Sequence, residues 1–139
     1  RVQESNVRLV YPSGLSIHAE AVDLEIQQVL INLVNNAVDA LETKGDGPRT
    51  IWIDLVDTPG WAIVSICDNG SGVVPELAES LFDLASSGKH GGMGIGLWIS
   101  KHIVEERHHG RLWLDTHYTS GARFVMELPK PSPTALSQG

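Results

Sequence analysis

Gln28–Leu41, QVLINLVNNAVDAL, is the stretch that decides the fold of this chain. Ile26, Leu30, Leu33, Ala37 and Leu41 recur at three- and four-residue steps, the spacing of one buried helix stripe. The opposite stripe is polar: Gln28, Asn32, Asn36 and Asp39. Asn32 and Asn36 lie four apart and so project from one face. Asparagine disfavours helix interiors, because its amide competes for backbone hydrogen bonds. Two accounts of the pair stand. One is a polar face in water; the other is a magnesium site, since that ion takes hard oxygen ligands and is often shared with substrate phosphates.

Working outward, the helix runs from about Asp23 to Leu41 and ends at Lys44-Gly45-Asp46-Gly47-Pro48. Upstream, Val7–Tyr11 reads as a strand, closed by the turn Pro12-Ser13-Gly14. Downstream, Thr50–Asp57 and Trp61–Cys67 are rich in Ile, Val and Trp around Thr58-Pro59-Gly60, a hairpin signal. Asp68–Gly72 follows as a tight loop, Pro75–Leu84 as a short helix and Ala85–Gly94 as a mobile glycine-rich segment. Ile95–His108 returns to helical spacing, with Ile95, Trp98, Ile99 and Ile103 on one side. Arg111–Thr116 and Arg123–Leu128 form a closing hairpin. The expected architecture is an α/β two-layer sandwich over residues 1–128, a mixed β-sheet with helices on one face, followed by a tail or linker at 129–139.

Composition narrows the functions. The net charge of -7 argues against sequence-independent nucleic-acid binding, which needs a basic surface. No apolar run is long enough to cross a bilayer, so no membrane contact is expected of this stretch and any anchor lies outside it. One cysteine, Cys67, leaves no internal disulfide and points to a reducing compartment, the cytoplasm. An acidic domain that handles phosphates must use local backbone amides, a metal ion and a few placed cations.

Three further features supply such groups. Asp68-Asn69-Gly70-Ser71-Gly72 puts a carboxylate at a strand end, where glycines allow close approach of a ligand such as an adenine amine. A plain Asp-x-Gly turn looks the same. Leu81–Lys89, LFDLASSGK, leads small residues to Lys89, which reads either as a phosphate contact or as an ordinary surface lysine. Gly91–Leu97, GGMGIGL, opens a helix whose N-terminal amides suit phosphate oxygens. The dinucleotide fingerprint is excluded by context: a strand should precede the glycines, and here a flexible loop does. A P-loop is excluded too, for want of Gly-Lys-Ser/Thr.

In this order and spacing, the four features resemble the N, G1, F and G2 boxes of the GHKL ATPase superfamily, over about Asp23–Leu128. The resemblance implies the Bergerat ATP-binding fold. It implies that Asn36 ligates Mg2+, with Asn32 near the phosphates, and that Asp68 bonds adenine in a pocket shaped by Gly70 and Gly72. Gly92, Gly94, Gly96 and Leu97, with Lys89, would belong to the lid over the triphosphate. QVLINLVNNAVDAL and GGMGIGLWISKHIVEERHHGRLWLD resemble the sensor histidine kinases in particular. Gyrase-like relatives carry a glutamate base where this chain has Asn32, a difference that fits a kinase keeping ATP from water.

The implied activity is transfer of the ATP γ-phosphoryl group to a histidine on a separate dimerisation domain, with a response regulator as indirect partner and this domain a monomer. The family's phosphoacceptor histidine is usually followed by an acidic residue, and none of the six histidines here is. Two departures from the pattern are Asp39, where a basic or aromatic residue is common, and Leu84-Ala85-Ser86-Ser87 in the lid. The alternatives are a GHKL-type ATPase or protein-serine kinase, and a nucleotide-sensing domain without catalysis. The four tryptophans read as core or edge aromatics, Cys67 as a packing residue, and His108-His109 as partners of a helix dipole.

Overall fold

The computed structural model describes residues 7–11, 24–42, 44–45, 47–83 and 93–130. Helix α1 spans Leu24–Glu42. It crosses between two parallel strands, β1 (Arg8–Val10) and β2 (Thr50–Asp57), in register Arg8 to Thr50. Next, β3 (Trp61–Asp68) turns back antiparallel to β2, and the Thr58 hydroxyl closes the hairpin by accepting from Trp61 N–H at 3.0 Å. Helix α2 (Met93–His102) then leads into the final hairpin, β4 (Arg111–Leu114) and β5 (Ala122–Pro129). Strand β5 inserts between β3 and β4, giving the order β1-β2-β3-β5-β4. The expected two-layer mixed-sheet sandwich is what forms.

Alternation sorts the sheet's faces. Ile51, Val64, Ile66, Phe124, Met126, Leu112 and Leu114 are buried toward the helices, where α1 supplies Ile26, Val29, Leu33, Ala37, Val38 and Leu41. Each of these side chains except that of Ala37 contributes about 1.5–3 kcal/mol by leaving water. The other face carries Trp52, Asp54 and Val56 of β2, all exposed. Trp52, Trp61 and Trp98 are exposed and Trp113 is half-buried, so the tryptophans are surface and edge residues rather than core.

Three expectations are corrected. Pro75–Leu84 is not a single helix: it forms two 3-10 turns, Pro75–Leu77 and Ser80–Phe82, neither with a side-chain cap, and Asp83 is extended. The downstream helix begins at Met93 and ends in a π turn, Ile103–Arg107. Its Ile95, Trp98 and Ile99 are exposed, while Leu97, Ser100 and Val104 face the core. This helix is apolar on two sides, so packing against α1 and the sheet chooses the buried stripe.

The helix's end is held by specific contacts. His109 takes φ 59°, and Gly110 N–H donates to Val104 O at 2.8 Å, closing a Schellman-type turn. His108 meets Glu25 of α1 at 3.3 Å rather than resting on the helix dipole alone. Lys101 Nζ donates to Leu112 O, and Glu105 accepts from Leu112 N–H, both at 3.1 Å, covering the outer edge of β4.

Candidate functional site

Alternation along β3 sends Val64, Ile66 and Asp68 to the helix side, so the last of them carries a carboxylate into the core. Asp68 is 2% exposed. Its Oδ1 accepts from Gly70 N–H at 2.9 Å and from Ala122 N–H at 3.4 Å. No donor among the described residues reaches Oδ2. Burial pushes this carboxyl's pKa up, and the two backbone N–H groups pull partly the other way. The result is an acceptor held in a fixed direction, with one oxygen available.

Two glycines shape the loop around it. Gly72 has φ 79°, and a Cβ there would lie 2.9 Å from Gly121 O. Gly121 has φ 148°, and its Cβ would lie 1.8 Å from Asp68 O, inside any allowed contact. The backbones after β3 and before β5 therefore cross at a distance that side chains would prevent. Gly70 lies against the last turns of α1, where a Cβ would meet Ala40 O at 3.3 Å.

Asn69, which the sequence reading passed over, fastens this loop. Its Oδ1 accepts from Thr50 N–H at 2.9 Å and its Nδ2 donates to Pro48 O at 3.0 Å, while Lys44 Nζ donates to Asn69 O at 3.0 Å. The available signal was its place one residue after a strand end, where Asn side chains commonly bond nearby backbone.

Helix α1 forms the floor of the site. Asn36 does not sit on a solvated stripe: it is 7% exposed, and its Oδ1 has no hydrogen-bond partner among the described residues. Leaving such a group unsatisfied costs about 1–3 kcal/mol. One turn earlier, Asn32 is half-buried; its Nδ2 donates to Ser100 Oγ at 3.3 Å, and its Oδ1 accepts from Gln28 Nε2 at 2.9 Å. A Cβ on Gly96, in the first turn of α2, would touch Asn32 Cγ at 3.9 Å. Asn32, Asn36 and Ala40 thus mark i, i+4 steps covering about 12 Å of helix axis. The end of α2 stands beside the first of them and the Asp68 loop beside the last.

Gly94 also lies in that first turn of α2. Leu97 is buried in the core, where it anchors the helix. Lys89 and Gly92 lie outside the described residues, as does most of Ala85–Gly94 and the divergent Leu84–Ser87 segment. Asp39 is half-buried. Cys67 is half-buried too, and burial raises its thiol pKa, which suits packing over reactivity. Among the described residues, no three His, Cys, Asp or Glu side chains form a metal-binding group. A cleft of about 480 Å³ lies elsewhere, between the 3-10 turns and β4, and includes neither Asn36 nor Asp68.

The histidine kinase-, DNA gyrase B- and HSP90-like ATPase family matches residues 21–132, and the chain belongs to that family. It is 38% identical over 113 residues to the C4-dicarboxylate transport sensor protein DctS of Rhodobacter capsulatus, covering 79% of this chain and 17% of that protein. It is 33% identical over 130 residues to the sensor protein FixL of Bradyrhizobium diazoefficiens, covering 91% of this chain and 25% of that protein. The chain therefore spans a quarter or less of these relatives. In structure it is similar to the nucleotide-free catalytic domain of histidine kinase ThkA: TM-score 0.76, 30% identity, 93% of this chain and 82% of the other. Family membership carries ATP binding with it.

Proposed function

We propose that this domain binds Mg-ATP along α1 and delivers the γ-phosphoryl group to a histidine on a separate dimerisation domain, as a sensor histidine kinase does. The observation that carries the reading is Asn36 Oδ1, buried and without a hydrogen-bond partner among the described residues, between the turn of α1 that meets Gly70 and the turn that meets Gly96. A hard oxygen donor in that position suits magnesium shared with phosphates. Asp68 Oδ2 accepts from the adenine amine, in a pocket bounded by Gly70 and Gly72. Asn32 and the first-turn amides of α2, with Gly92, Gly94, Gly96 and Lys89, address the phosphates.

Catalysis here is mostly positioning and charge neutralisation, and magnesium, when bound, would neutralise charge on the phosphoryl oxygens. The chain's own residues orient the nucleotide and hold its adenine end. An asparagine at position 32 leaves no carboxylate there to activate water, which favours transfer over hydrolysis. Residues 1–128 act as the catalytic unit and 129–139 as a linker. The domain works in the cytoplasm as a monomer, and a response regulator receives the phosphoryl group later.

The test is phosphoryl transfer in trans. With labelled ATP the domain alone should remain unlabelled, and adding the parent kinase's dimerisation domain should yield phosphohistidine on that partner. Rapid ATP hydrolysis without a partner would instead favour a GHKL-type ATPase, and nucleotide binding with neither transfer nor hydrolysis a sensing domain.

A further inference from the structure

Asn32 of α1 reaches Ser100 of α2 beside Gly96, and both ends of its amide are engaged. Ser100, its partner on α2, is 0% exposed. A fully buried hydroxyl on an apolar helix face needs a reason, because burying it without a hydrogen bond is unfavourable. Alanine would fill the same space without that demand.

We propose that Ser100 is a positioning residue for nucleotide binding, acting through Asn32. Ser100 Oγ accepts one hydrogen of Asn32 Nδ2 at 3.3 Å, and Gln28 Nε2 donates to Asn32 Oδ1 at 2.9 Å from the solvent side. These two contacts hold the amide between α1 and α2, with Nδ2 toward Ser100 and Oδ1 toward Gln28. In this orientation Asn32 turns its Oδ1 to Gln28 and keeps a second Nδ2 hydrogen, a donor suited to an oxyanion. The two asparagines of α1 thereby divide the work: Asn36 presents an oxygen to the cation, and Asn32 presents hydrogen to a phosphate. The same contact couples the orientation of Asn32 to the seating of α2, whose first turn holds Gly94 and Gly96.

This inference rests on the phosphate role given to Asn32 above, and the experiment separates the two. A non-hydrolysable magnesium–ATP analogue is titrated into the native domain, Ser100→Ala, Gln28→Ala, Asn32→Ala and the doubles that join Asn32→Ala to each of the other two. Adenosine, which has no phosphate, is titrated by competition, and thermal melting is recorded for all. Ser100→Ala should weaken the analogue about three- to tenfold, the effect of one ordinary hydrogen bond, and leave adenosine unchanged. Gln28→Ala, at an exposed position, should weaken it about twofold, as solvent-exposed hydrogen bonds contribute little. Neither substitution should add to Asn32→Ala. If Ser100→Ala binds the analogue like the native domain, or weakens it equally in the Asn32→Ala background, the positioning role is wrong. If Asn32→Ala itself binds normally, the phosphate role of Asn32 fails first. Should Ser100→Ala not fold, the Gln28→Ala pair decides by the same criterion of non-additivity.

Discussion

Asp68→Asn tests the adenine contact, and the structure determines how the new side chain must turn. Gly70 N–H and Ala122 N–H both point at Oδ1, so the asparagine keeps its oxygen there. That leaves Nδ2, a donor, where the proposed function has the native Oδ2 accept from the adenine amine, which is also a donor. Losing a charge-assisted hydrogen bond costs about 1.5–3 kcal/mol, about 10- to 150-fold in ATP affinity. A purine with a carbonyl at that position, as in ITP, should gain relative to ATP, because the variant offers it a donor. Native domain should prefer ATP over both ITP and GTP.

Stability should move the other way. Burial raises the Asp68 pKa above its ordinary 3.8, so the folded state holds this proton more tightly than the unfolded chain does. The stability linked to that proton is complete below the unfolded pKa and is lost as pH rises through the folded one. Near neutral pH the ionised carboxylate is therefore a burden that asparagine lacks. The variant should melt at or above the native temperature near neutral pH, with the gap narrowing as pH falls toward the carboxylate range. Calorimetric titration of ATP and ITP, with melting curves across pH, provides both readouts. An unchanged ATP-to-ITP ratio in Asp68→Asn would refute the assignment.

Two further substitutions probe the metal and the crossing of backbones. Asn36→Ala should abolish most of the magnesium dependence of ATP affinity while melting at or above the native temperature, because the oxygen removed has no hydrogen-bond partner among the described residues; titrations with magnesium and with a chelator measure this, and a magnesium response equal to native would count against the ligand role. Gly121→Ala forces a Cβ against Asp68 O at a φ of 148°, so it should lower stability by more than about 2 kcal/mol and weaken ATP binding by displacing the Asp68 loop. Denaturant unfolding with native-like stability would show that this crossing is looser than the structure has it.

The sequence by itself determined what local pattern can determine. Helix α1 announces itself through a 3.6-residue period from Ile26 to Leu41, and β2 and β3 through β-branched runs joined at Thr58-Pro59-Gly60. The motif order was enough to name the family, and it singled out Asp68, Asn36 and Gly96 as candidate site residues before any contact was known. Tertiary structure decided the quantities that depend on neighbours distant in sequence. Whether Asn36 sat on a solvated face stayed open, because a period shows which residues share a face and not what will cover it; the Gly70 loop packs on α1 at Ala40 and α2 at Asn32, on either side of it. Likewise Ile95, Trp98 and Ile99 had as good a claim to the core as Leu97 and Ser100, until packing against α1 and the sheet set the rotation of α2. Ser100 and Gly121 gave no signal of their own, since a buried hydroxyl and a close backbone crossing exist only after residues 68 and 53 positions away, Asn32 and Asp68, have come together. Pattern fixes which surfaces a segment offers; the free energy of burial, summed over the whole chain, chooses which of them meet.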